Sequence, residues 1–130
     1  MKLDLAMQEL AKELEIEDSF ATEVPGVFAI PLDEELILIV SSLPRDGISL
    51  KCTLTKIPKK GGEEYVTALL RANLFGEGTD GAILGFDENG EYLTLCQEID
   101  YDIDFPAFRN LIEDFMNSID FWREETETYR

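Results

Sequence analysis

The chain is 130 residues long and 45% apolar, and it carries 28 Asp and Glu against 11 Lys and Arg, a formal charge of −17. That length fits one domain, residues 1–130, able to hide roughly two-thirds of its unfolded surface in a core of its own, and the apolar content excludes a disordered acidic chain. So acidic a surface repels phosphate backbones and anionic membranes, so no nucleic acid is expected as partner; no stretch reaches the roughly 18 apolar residues of a membrane span, so no membrane insertion is expected either.

Met1-Lys2-Leu3-Asp4-Leu5 turns acidic at once, whereas a secretory signal needs a basic start and an uninterrupted apolar run, so a cytoplasmic chain is expected. Leu3, Met7, Leu10 and Leu14 stand at helical spacing, with Gln8, Glu9, Lys12 and Glu13 largely on other faces. They predict an amphipathic helix over residues 3–15, with Leu5 and Ile16 off its stripe. Three β-type runs follow, Val27 to Ile30, Glu35 to Val40 and Ile48 to Leu54, separated by Pro31-Leu32-Asp33 and Pro44-Arg45-Asp46-Gly47. They predict an antiparallel meander.

After Lys59-Lys60-Gly61-Gly62, a helix is predicted from Glu63 to Leu74, ended by Gly76. Strands Ala82 to Phe86 and Tyr92 to Gln97 are joined by Asp87-Glu88-Asn89-Gly90, whose Asn-Gly suits a tight hairpin turn. The last helix, Pro106 to Glu124, carries Phe108, Leu111, Ile112, Phe115, Met116, Ile119 and Trp122 on one face, with Pro106 favouring the first turn. The order αβββαββα predicts an α+β fold, helices packed on a twisted antiparallel sheet.

Two elements carry more apolar surface than a simple core needs. In the middle helix Tyr65, Ala68, Leu69, Ala72 and Phe75 point one way, and Val66, Leu70 and Leu74 another. Such a helix is either central to a monomer's core or packed against a second subunit, and at this chain size the subunit is favoured. In the strand Leu36-Ile37-Leu38-Ile39-Val40 both pleat faces are apolar, although an antiparallel sheet with helices on one side should alternate. Its outward face is either a partner site or is covered by a terminal helix or a second subunit.

Candidate chemistry is weak throughout. Gly76-Glu77-Gly78-Thr79-Asp80-Gly81 has the G-x-G-x-x-G spelling, but it follows a helix and precedes a strand. A dinucleotide site needs the reverse order, and Glu77 and Asp80 would repel phosphate, so a glycine-rich turn is the reading. Asp100-Tyr101-Asp102-Ile103-Asp104 opens like a calcium loop, yet Phe105 stands where the sharp-turn glycine belongs and Leu111 where the bidentate Glu belongs. These acids instead favour the N-terminus of the last helix. The chain has no histidine, and Cys52 and Cys96 lack metal-ligand spacing, so no metal, no cofactor and reduced, buried thiols are expected. No motif places a base beside Ser41, Ser42, Ser49 or Ser118, and no active site is read.

The run Leu69-Leu70-Arg71-Ala72-Asn73-Leu74-Phe75-Gly76-Glu77-Gly78-Thr79-Asp80-Gly81-Ala82-Ile83-Leu84-Gly85-Phe86-Asp87 resembles the helix, glycine turn and strand of class I type III secretion chaperones, the Tir chaperone family. Glu91-Tyr92-Leu93-Thr94-Leu95 resembles their next strand. Phe105 to Trp122, with Ile112-Glu113-Asp114-Phe115 and the closing Phe121-Trp122-Arg123-Glu124, resembles their last helix. The element order, length and acidity agree across essentially the whole chain.

The resemblance implies a homodimer in the bacterial cytoplasm, not an enzyme. It would bind the N-terminal chaperone-binding segment of an effector, keep it extended and soluble without ATP, and ready it for the secretion ATPase. Cargo of this family lays apolar side chains into surface grooves and sometimes adds a strand. By the same resemblance the dimer contact falls on Val66, Leu69, Leu70, Asn73, Ile83 and Leu84, and the effector grooves on Leu5, Ile16, Phe28, Ile30, Ile37 and Ile39. A rival of another class is an acidic homodimeric adaptor or anti-regulator that sequesters a folded partner.

Overall fold

A computed structural model describes residues 1–17, 20–60, 62–74, 78–79 and 81–130. The elements are α1 (Leu3–Glu13), β1 (Val27–Pro31), β2 (Ile37–Leu43), β3 (Gly47–Lys56), α2 (Gly62–Asn73), β4 (Ile83–Phe86), β5 (Tyr92–Ile99) and α3 (Phe105–Glu127). The strands form one five-stranded antiparallel sheet in the order β1-β2-β3-β5-β4, so β1 and β4 are its edges. The α+β fold and the αβββαββα order are those expected from the sequence. By its internal contacts the chain groups into two units, Met1–Lys51 with Glu98–Ile112, and Cys52–Gln97 with Glu113–Arg130.

In the first unit, α1 buries Leu3, Ala6, Met7, Leu10 and Ala11, the i, i+3, i+4 stripe of an amphipathic helix. It stops two residues short of the expected end. Glu15 takes a left-handed φ of 56° and donates its N–H to Lys12, while Ile16 N–H reaches back to Ala11 C=O at 2.9 Å, the paired closure of a Schellman motif. Leu14, expected on the buried stripe, is therefore exposed.

β1 pairs β2 with Phe28 opposite Val40, Ala29 opposite Ile39 and Ile30 opposite Leu38. The strand expected over Glu35 to Val40 begins later, at Ile37, because Asp33 Oδ1 accepts the N–H groups of Glu35 and Leu36 and bends the chain into a turn. The start of α3 is capped as the acids suggested: Asp104 Oδ1 accepts Ala107 N–H at 3.0 Å, and Pro106 lies in the first turn.

In the second unit, Tyr65, Leu69 and Ala72 of α2, Leu84 of β4, Leu93 and Leu95 of β5, and Phe115, Ile119 and Trp122 of α3 are buried together with Cys52 and Leu54 of β3. The β4–β5 turn bonds Gly90 N–H to Asp87 C=O at 3.0 Å, with Gly90 rather than Asn89 at positive φ. The tight hairpin expected there is present, built as a turn followed by a left-handed glycine. Tyr65 and Thr126 share a buried hydrogen bond of 2.9 Å, and the Tyr65 and Tyr129 rings meet edge to face. Neither cysteine is bridged; Cys52 is buried as expected, but Cys96 is only half-buried. Phe75, the helix stop at Gly76, Gly61 of the preceding loop, and Glu77 and Asp80 of the glycine run lie outside the described residues.

Candidate functional site

The first unit presents an apolar face made by alternation. Leu38 and Val40 of β2 and Phe28 and Ile30 of β1 turn inward and are buried, while Ile37 is 52% exposed and Ile39, Ala29 and Val27 are partly so. The register sets Ala29 beside Ile39 and Pro31 beside Ile37 on the outward side. Of the six residues assigned to effector grooves, Leu5, Ile16 and Ile37 are exposed and Ile39 half-buried, whereas Phe28 and Ile30 are 7% exposed each and offer a partner almost no surface. The reason is period-two geometry: one step of register moves a residue from one face to the other. Ala29 and Pro31, missed in the sequence, take the outward places, and only the pairing reveals them.

The edge of β1 is poor in hydrogen-bond donors. Val27 N–H goes to Val24 C=O and Ala29 N–H to Phe20 C=O, while Pro31 has none. Thr22 donates both its N–H and its hydroxyl to Val27 C=O. A strand laid along this edge would find the N–H groups of Val27 and Ala29 already used and none at Pro31.

The second unit presents another apolar face. Val66, Leu70 and Leu74 follow one another at one-turn spacing along α2 and its last turn and are exposed, Leu70 by 65%. Ile83 of β4 is 63% exposed. The reading of α2 as a central core helix of a monomer is therefore excluded: the chain leaves this stripe uncovered. Leu69 and Leu84, assigned to the dimer contact, are buried within the chain. Asn73, assigned there too, turns its amide inward, donating Nδ2–H to Leu84 C=O and accepting Leu84 N–H at Oδ1, both at 2.8 Å.

Among the described residues no group of His, Cys, Asp or Glu is arranged to hold a metal ion, and no helix is long and apolar enough to cross a membrane. In a cleft of about 460 Å³ lined by Thr79, Asp114, Asn117, Ser118 and Phe121 among others, the polar groups brace the turn after α2. Ser118 Oγ donates to Thr79 C=O and Trp122 Nε1–H to Gly78 C=O. Gly78 also packs so close to α2 that a Cβ there would stand 2.8 Å from Ala72 Cβ. The described glycines of the G-x-G-x-x-G run thus serve helix packing and a turn.

A small α+β module with two uncovered apolar faces and an acidic surface is a protein-binding module. The model of the Tir chaperone protein (CesT) family matches residues 6–123, and the chain belongs to that family, the class I type III secretion chaperones. A curated protein of Chlamydia pneumoniae is 22% identical over 121 residues, covering 92% of each chain.

Three solved structures share the fold. A chain of the ExsC–ExsE complex matches with a TM-score of 0.77 at 18% identity, over 95% of this chain and 96% of that one. A chain of the HopA1–SchA chaperone–effector complex gives 0.73 at 18%, over 94% and 93%. The Yersinia pestis type III secretion chaperone SycH, in complex with a stable fragment of YscM2, gives 0.69 at 16%, over 98% of each.

Proposed function

We propose that this chain is one chaperone domain that receives the extended N-terminal segment of an effector and keeps it soluble and competent for secretion, without ATP or any cofactor. The observation that carries the reading is the uncovered apolar face of β1 and β2 centred on Ile37 and Ile39. A chain of charge −17 that still leaves contiguous aliphatic side chains in water marks a partner site. Leu5, Ile16, Ile37 and Ile39 contact the cargo, and Phe28 and Ile30 support the face from beneath. Since the donors of the β1 edge are spent, the cargo binds mainly through side chains rather than as an added strand. The HopA1–SchA likeness, itself a chaperone–effector complex, supports the same mode of action.

The second face pairs two copies of the chain through Val66, Leu70, Leu74 and Ile83. Hand-over to the secretion ATPase, residence in the bacterial cytoplasm and the lack of any enzymatic role belong to the same reading.

The test is co-expression with effectors encoded nearby, followed by pull-down and limited proteolysis. The chain is expected to protect an N-terminal stretch on the order of tens of residues on its cargo. Ile37→Asp is expected to abolish capture while changing stability by less than about 1 kcal/mol, since the side chain is already half exposed. Capture of a folded partner with no protected segment would instead favour the adaptor that sequesters folded proteins.

A further inference from the structure

β4 is an edge strand, and in such a strand every second residue points its N–H and C=O away from the sheet, open to any strand that approaches. Here the outward groups of Leu84, and of Ala82 just before the strand, are occupied from within the chain. At Leu84 both are taken by the Asn73 side chain, whose amide donates to the C=O and accepts the N–H at 2.8 Å each, the pair of bonds a neighbouring strand would supply. Two residues earlier, Ala82 N–H goes to Thr79 C=O at 3.2 Å and Ala82 C=O accepts the Thr79 hydroxyl. Thr79 is buried, so that second pair is shielded as well.

Beside this closed edge lies the most exposed aliphatic surface of the unit, Leu70 on α2 and Ile83 on β4. A face that would attract a second copy thus adjoins a strand edge that could pair with the β4 of a third, and two such contacts on one protomer do not close.

We propose that Asn73 is an edge-closing residue. It keeps β4 from accepting a strand from a further copy of the chain and so restricts the contact between copies to the side chains of α2 and Ile83. This rests on the homodimer reading above, and it assigns Asn73 a positioning role inside each protomer in place of a contact across the interface. The amide suits the task because it sets an N–H donor and an oxygen acceptor side by side. Aspartate would keep the acceptor for Leu84 N–H but set a carboxylate against Leu84 C=O, and alanine would supply neither bond.

The experiment is amide hydrogen exchange resolved at Leu84, with sedimentation velocity on the same samples. In the unaltered protein, Leu84 protection is expected to stay constant as the dimer is diluted into monomer, because the bond partner is internal. Protection that vanishes on dilution would mean that the second copy supplies the bond, and would overturn the proposal. This arm needs no variant, so misfolding of a mutant does not affect it. If the protein is monomeric at every concentration, the homodimer reading fails, while protection at Leu84 still tests the clamp.

In Asn73→Ala, exchange at Leu84 is expected to accelerate at least tenfold, and species larger than the dimer are expected to form with rising concentration. Unchanged exchange, or accelerated exchange with no larger species, would each overturn the edge-closing role. Asn73→Asp is expected to retain more Leu84 protection than Asn73→Ala; equal loss would show that the Leu84 N–H bond is not what holds the edge.

Discussion

Tyr65 illustrates how much one side chain depends on partners distant in sequence. Its ring is buried, its hydroxyl shares a hydrogen bond with Thr126, itself fully buried, and its edge meets Tyr129. Tyr65→Phe leaves the Thr126 hydroxyl in a dry site without its partner, and a loss of about 1–3 kcal/mol in urea unfolding at neutral pH is expected. Burial pushes the Tyr65 phenol above its ordinary value of 10.0, outweighing the Thr126 hydrogen bond and the Arg130 charge, which pull it down. The unfolded chain therefore gives up this proton first as pH rises. Stability from Tyr65 is whole below about pH 10 and is lost as pH climbs from there through the folded-state pKa. Unfolding curves at neutral and strongly alkaline pH should show the gap between the native protein and Tyr65→Phe narrowing. A constant gap would assign the whole effect to packing.

At the scale of elements, α2 faces two ways. Its inward face packs against the turn that carries Gly78, where Ala72 Cα would stand 2.9 Å from any Cβ. Gly78→Ala must push helix and turn apart, and thermal melting should report a loss of about 1–3 kcal/mol. Its outward face is another matter. Leu70 is mostly in water within one chain, so Leu70→Asp should leave the protomer folded and circular dichroism unchanged. Placed in a dry contact between copies, that charge should cost about 3 kcal/mol or more, roughly a hundredfold in the dimer dissociation constant. Light scattering that still finds the unaltered dimer would move the contact to another face.

For the whole molecule, 28 acidic against 11 basic side chains make self-repulsion a standing cost of folding. Local pairing exists, as between Arg109 and Glu13, Arg130 and Glu127, and the N-terminal amine and Asp102, but 11 basic side chains cannot neutralise 28 acids. Raising ionic strength from about 10 mM to 150 mM shortens the screening length from roughly 30 Å to 8 Å. The melting temperature should rise by several degrees, and scanning calorimetry at the two salt levels measures it. A melting temperature that falls with salt would mean that local ion pairs outweigh the general repulsion.

The sequence by itself determined the element order, the amphipathic faces of α1 and α3 and the family. The order and the faces rest on local periodicity and turn chemistry that a short window of residues carries, and the family on the resemblance of the Leu69 to Asp87 run and of the last helix. It also marked α2 and the Leu36 to Val40 strand as having more apolar surface than one core can use. What it could not say was which side of that strand faces water, because a run apolar on both faces contains no signal of register. The pairing of Phe28 with Val40 decided that, moving Phe28 and Ile30 into the core and bringing Ala29 and Pro31 to the surface. The bonds of Asn73 were equally out of reach, since its partner is the backbone of Leu84, eleven residues on, and backbone groups leave no trace in a sequence. Tertiary structure decided both because each depends on which segments meet, and that is settled by packing across the chain rather than by any residue's own preference.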